Sequence, residues 1–156
     1  ELPGVDIVAE VDDIPVPEGS VAEIHSAHLL EHFPKEELVR KVIPYWRTLL
    51  RPGGVLSAVV PDGEAMMKHW VAGDYPFEEL REVMFGAQDY MGDYHYNLFT
   101  PDSLGALLSE EGFDQIQIVE AGRRNGQCFE LEIRATLAEK QPQRRRGAEK
   151  ASAPTS

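Results

Sequence analysis

The spacing of apolar positions changes several times along the chain. Val5-Asp-Ile-Val-Ala-Glu-Val11 alternates, and VAEIHSA (21–27) is comparably short and half apolar, so both predict strands. DDIPVPEGS between them carries two prolines and a glycine and predicts a loop. From FPKEEL onward the period lengthens. Leu38, Val39, Val42, Ile43, Trp46, Leu49 and Leu50 recur at helical spacing and give one apolar stripe that suits packing on a sheet. Pro34 falls in the first turn, where a missing N–H costs nothing, and Glu36 and Glu37 favour the positive end of the helix dipole. Pro44 predicts a kink, and RPGG (51–54) predicts the end of the helix.

VLSAVV (55–60) is almost continuously apolar, as a strand buried on both faces is. Asp62 to Gln88 predicts helices broken around AGDYP, followed by an aromatic-rich loop from Asp89 to Thr100. Pro101 to Glu111 predicts another helix with Thr100 as its N-cap. QIQIVEA and CFELEIRA read as two strands joined by the turn-like GRRNGQ, an antiparallel hairpin. The order β, β, α, β, α, α, β, β predicts an α/β fold, mostly a parallel sheet with an antiparallel C-terminal edge.

The composition narrows the partners. The chain has 156 residues, enough for one domain, and is 42% hydrophobic. No apolar run approaches the roughly 20 residues of a membrane helix, so membrane insertion is not expected. The net charge is −12, but residues 138–156 are basic and poor in large apolar residues, which predicts a disordered tail. Residues 1–137 then carry −15, a poor surface for nucleic acid. Cys128 is the only cysteine; it excludes an intrachain disulfide and a cysteine-rich zinc site, suits a reducing cytoplasm, and reads as a buried strand thiol. The start, ELPGVDIVAEV, lacks an initiator Met, which predicts a piece of a longer chain.

HLLEH (28–32) has the spelling of the inverted zinc-peptidase motif. That motif needs both histidines mid-helix on one face. Here strand 21–27 runs straight into it and Pro34 follows, which places His28 at a strand end and His32 near a helix start. No metal is expected from that pair. The carboxyl end of a parallel strand is nonetheless where α/β folds bind ligands.

Four stretches in order, DIPVPEGSV, EIHSAHLLEHF, LLRPGGVLSAVVPD and MFGAQDYMGDYHYNLFTPDSLGALLSEEGF, resemble the later two-thirds of class I S-adenosylmethionine (SAM) dependent methyltransferases. The likeness is to a type 11-like subgroup that often accompanies cell-surface polysaccharide genes, and it runs from about residue 5 to residue 135. It implies a Rossmann-like methyltransferase domain over residues 1–137, N-terminally truncated, with SAM as cofactor and a small-molecule or sugar hydroxyl as acceptor. It implies that Glu10 binds the adenine amino group, that Val11 lies against the ring, and that Ser26 and Ala27 pass beside the methionine part. His28 would face the transfer site, as a neutral base for an acceptor hydroxyl or as a group that shapes the pocket. His95, among Tyr90, Tyr94, Tyr96 and Phe99, is the second catalytic candidate; Glu31 and His32 read as structural, and Trp46 and Trp70 as core. The family's "L-x-L-G-C-G" loop and the acidic residue ending its second strand are not in this sequence. Their absence leaves strand 21–27 with an exposed edge that invites self-association. It also keeps open a second reading, a methyltransferase-like binding or assembly module without catalysis.

Overall fold

The computed structural model describes residues 3–138. The basic tail expected from 138 onward lies outside the described residues, apart from Ala138. Four strands form one sheet in the order β1-β2-β4-β3: β1 Val21–Ala27, β2 Leu50–Pro61, β3 Phe113–Asn125 and β4 Cys128–Leu137. β1 runs parallel to β2, and β4 is antiparallel to both β2 and β3, so one pairing of three is parallel and the α/β sheet is mixed where a mostly parallel one was expected. The predicted hairpin is therefore present, with longer arms than the apolar runs alone suggested, because GRRN continues β3 up to a turn at Gly126 and Gln127.

RPGG does not simply end a helix. Helix α2 (Ile43–Leu49) stops at Leu49, and Leu50 already pairs with Val21. The next pair is Glu23 with Val55, so residues 51–54 bulge out between the two pairings. The kink foreseen at Pro44 takes a specific form. The short α1 (Lys35–Glu37) passes into a π-turn at Leu38–Val42 before α2 begins, with Pro44 in its first turn. Pro44 cannot donate to the carbonyl four residues back, and its ring crowds that carbonyl; the wider π-turn takes up the mismatch.

The predicted stripe is the core. Leu38, Val42, Ile43 and Trp46 meet Leu104, Leu107 and Leu108 of α5 (Pro101–Glu110), over Leu56, Ala58 and Val60 of β2 and Leu131, Ile133 and Ala135 of β4. Alternate strand residues share a face, which is why each trio is spaced by two. Each fully buried Leu or Ile contributes about 1.5–3 kcal/mol. A smaller cluster, Met66, Tyr75, Leu80 and Phe129, lies under α3 (Gly63–Ala72) and α4 (Phe77–Phe85).

Two further expectations fail. Val5–Val11 is not a strand: residues 5–10 have no regular structure and 11–12 form a turn. A strand needs a neighbour for its backbone groups, and none lies beside this segment among the described residues. Instead the chain packs back on the helical layer, where Trp46 Nε1 donates to the Val11 carbonyl at 2.8 Å and the Tyr45 hydroxyl donates to the Ile14 carbonyl at 2.9 Å. Trp70 is not core; it is 46% exposed and tilts against Phe77, also exposed. Among the described residues no helix is long and apolar enough to cross a membrane.

Candidate active site

β1 ends at Ala27, and the next residue turns away. His28 has φ 48°, a left-handed backbone that a non-glycine residue adopts only where its surroundings fix it. Its N–H donates to the Val59 carbonyl at 2.9 Å, holding the turn against β2. A single 3₁₀ turn, Leu30–His32, follows. This arrangement directs His28 toward β4 rather than alongside His32, as the sequence argument against a helical zinc motif anticipated.

The imidazole of His28 lies between two carboxylates. Its Nε2 is 2.9 Å from Glu130 Oε1, and its Nδ1 is 3.4 Å from Glu31 Oε1, a charge contact without hydrogen-bond geometry. Glu31, then Glu130, raise its pKa to about 9 against the partial burial that lowers it. At neutral pH His28 is an imidazolium. Of the two expected roles, this favours a His28 that shapes the pocket over a neutral base, since a base needs an unprotonated nitrogen.

Glu130, on β4, is 4% exposed. Burial pushes its pKa up, but Asn125 Nδ2 at 2.6 Å, His28 and Arg123 Nε at 2.9 Å hold it down at about 2. Sequence reasoning missed this residue. CFELEIRA gives it no special signal, and its partner His28 lies 102 positions away.

His95 reaches the same cleft from the loop after α4. That loop closes on itself at Gly86 (φ 79°), where an added Cβ would sit 1.9 Å from the Asp93 carbonyl oxygen, so only glycine fits. His95 Nδ1 donates to the Val83 carbonyl at 2.6 Å, which leaves the lone pair on Nε2. Burial lowers its pKa, so this imidazole is neutral at pH 7. His28, Pro61, Glu82, Val83, His95 and Cys128 line a cleft of about 190 Å³. The two candidate histidines thus meet in one place with opposite protonation states.

The expected cofactor contacts divide. Ser26 is buried, and its hydroxyl has no partner, which suits a group that closes over the end of β1. Ala27 is exposed beside it. Glu10 and Val11 sit in the irregular N-terminal segment and do not line the cleft. The Cys128 thiol is half-buried, and burial pushes it up to about 12, which agrees with an unreactive strand thiol.

No protein-family model and no curated protein matches the chain. Solved structures do. A SAM-dependent methyltransferase from Thermotoga maritima is 15% identical, with a TM-score of 0.58, over 83% of this chain and 62% of that one. A SAM-dependent methyltransferase from Methanosarcina mazei is 19% identical, with a TM-score of 0.57, over 86% and 67%. The 1,6-didemethyltoxoflavin-N1-methyltransferase of Burkholderia thailandensis, with its substrate and S-adenosylhomocysteine bound, is 16% identical, with a TM-score of 0.56, over 85% and 50%. The chain spans between about a third and two-thirds of the length of the first structures it resembles. At these identities the likeness establishes the fold, an α/β methyltransferase-like sheet.

Proposed function

We propose that this chain carries the acceptor side of a SAM-dependent methyltransferase, acting on a small-molecule or sugar hydroxyl in the cytoplasm. The observation that carries the reading is the cleft beyond β1, where a cationic His28 and a neutral His95 face one space. The fold likeness and the order of the four sequence stretches support the same reading. When bound, SAM supplies an electrophilic methyl group on a sulfonium.

The residues present fit that cofactor in part. The unpartnered Ser26 hydroxyl and the adjoining Ala27 suit its methionine end. Glu10 and Val11 remain candidates for the adenine end, from a segment that has no sheet partner here. His95 Nε2 accepts the proton of an acceptor hydroxyl, and the His28–Glu130 pair orients that hydroxyl with a fixed charge. Alignment and one proton acceptor are the chain's whole contribution, so the acceptor's identity is not written in a catalytic motif.

A second reading is favoured by one observation: β1 is an edge of the sheet among the described residues. In that reading the chain is a binding or assembly module, self-associating through β1. Calorimetric titration of S-adenosylhomocysteine into the folded chain separates the two. Micromolar binding that weakens in Ser26→Val supports the enzyme reading. A folded chain that binds nothing, and whose mass rises with concentration in light scattering, supports the module.

A further inference from the structure

Glu31 is fully buried, and neither carboxylate oxygen has a hydrogen-bond partner. The residue is anchored through its backbone: its carbonyl accepts from the Tyr96 and Asn97 N–H groups at 2.7 and 3.2 Å. Those two bonds bring the loop carrying His95 against the 3₁₀ turn carrying His32. The side chain of Asn97 adds a third tie by donating to the Phe33 carbonyl.

The result is a group of three side chains. One ligand atom from each of Glu31, His32 and His95 lies within 4.8 Å of the others. His32 Nδ1 is also buried without a partner. The His32 and His95 rings meet edge to face, with centroids 4.6 Å apart. A buried carboxylate whose only partner is a 3.4 Å charge contact and a buried imidazole nitrogen with no bond are each costly, and a cation between them would relieve both. His28 offers only partial relief: its short contact goes to Glu130, and Glu31 receives the 3.4 Å approach.

We propose that Glu31, His32 and His95 bind a divalent transition metal, with zinc as the ion the donor set fits best. Two imidazoles and one carboxylate form a three-ligand zinc set that leaves a fourth position open. His95 has the supporting bond such ligands have, Nδ1 to a backbone carbonyl, which fixes the ring and frees Nε2. His32 and His95 are only half-buried, so an ion has a route in. The ligand set is not the His28–His32 pair spelled out in HLLEH. It draws Glu31 and His32 from that stretch and takes its third member from a loop more than 60 residues away.

The metal assignment does not depend on the methyl-transfer reading. The proton-acceptor role of His95 Nε2 belongs to the metal-free chain, and an ion bound there competes with it. The chain, stripped with a chelator, is titrated with Zn²⁺ by calorimetry and with Co²⁺ by visible absorption. One ion per chain and the absorption of four-coordinate Co²⁺ are expected. Glu31→Gln and His95→Ala are each expected to weaken Zn²⁺ by about 10–100-fold or more. His69→Ala, which alters the surface pair with Asp74, is expected to leave it unchanged. If Glu31→Gln does not fold, His95→Ala and the Co²⁺ spectrum decide. No stoichiometric binding by the folded chain overturns the proposal, as does equal affinity in His95→Ala or loss of binding in His69→Ala. Each readout reports metal, not turnover, so failure here is distinct from failure of the enzyme reading.

Discussion

His28 Nε2 and Glu130 Oε1 lie 2.9 Å apart, joining the end of the first strand to the start of the last. The pair makes stability depend on pH from both sides. Glu130 is held down at about 2 from an ordinary 4.5, so its contribution is complete above about 4.5 and vanishes as pH falls through 2. His28 is raised from 6.5 to about 9, so its contribution is complete below 6.5 and vanishes as pH rises through 9. The Glu130 side corresponds to about 3 kcal/mol at 1.36 kcal/mol per pKa unit. The His28 side chain is 40% exposed, so screening reduces its share to about 1 kcal/mol. Asn125 and Arg123 share in the Glu130 shift and Glu31 leads the His28 shift, so the two figures overlap only at the shared contact and are not summed. Urea denaturation with a chelator present, from about pH 3 to 10, is expected to show a plateau between 4.5 and 6.5. In Glu130→Gln the acid limb should flatten; an unchanged limb would assign it to other carboxylates.

Asp62 is 2% exposed at the end of β2 and serves two elements. Its Oδ1 accepts from Ala65 N–H at 3.0 Å, capping α3, and its Oδ2 accepts from Gly122 N–H at 2.9 Å on β3. Asp62→Ala removes a cap worth about 1 kcal/mol. It also strands a strand N–H at a cost of about 1–3 kcal/mol. Thr100→Ala removes only the exposed capping box of α5, at about 1 kcal/mol. Thermal unfolding should therefore place Asp62→Ala clearly below Thr100→Ala. Equal melting temperatures would mean that the Gly122 bond contributes nothing.

The contrast between these two caps shows what the sequence makes legible. Thr100 and Pro101 announce a helix start through adjacent residues, and the structure has that start. The stripe from Leu38 to Leu50 and the two-residue spacing of Leu56, Ala58 and Val60 are equally local, and they are the core. Val5–Val11 has the alternation of a strand, but alternation does not say whether a neighbouring strand exists, and none does among the described residues. The site is legible by halves for the same reason. His28 and His95 stand out as histidines at loop positions that the resemblance marks. Glu130 and Glu31 are ordinary glutamates until the fold buries them, and the protonation of His28 follows from those two partners rather than from its own neighbours in sequence.

Gly86 sets the loop that presents His95. An added Cβ would meet the Asp93 carbonyl oxygen at 1.9 Å, and φ is 79°. Gly86→Ala must open the loop, and the 2.6 Å bond from His95 Nδ1 to Val83 is expected to lengthen or break. The core does not pass through this loop, so the fold should survive with about 1–3 kcal/mol less stability. Histidine ring NMR is the direct readout: the resonances of His95 should shift toward solvent-exposed values while those of His69 stay in place. An unmoved His95 would mean that the bonds from Tyr96 and Asn97 to Glu31 hold the loop without help from Gly86.

Cys128 borders the same cleft, yet its chemistry should be quiet. Burial, with Glu130 and Glu31 adding to it, pushes the thiol up to about 12 from 9. The thiolate is the reacting species, so a rise of this size slows alkylation about 1000-fold relative to the unfolded chain at the same pH. Iodoacetamide labelling at about pH 8, followed by mass spectrometry with and without urea, measures that ratio directly. The result also tests the cleft, because Glu130→Gln removes the first of the three carboxylates, Glu130, Glu31 and Asp62, that oppose the thiolate. Faster labelling in folded Glu130→Gln is expected. A rate equal to the native chain's would assign the protection to burial and the remaining carboxylates, and fast labelling of the native chain would mean that the cleft admits solvent around β4 more freely than its packing suggests.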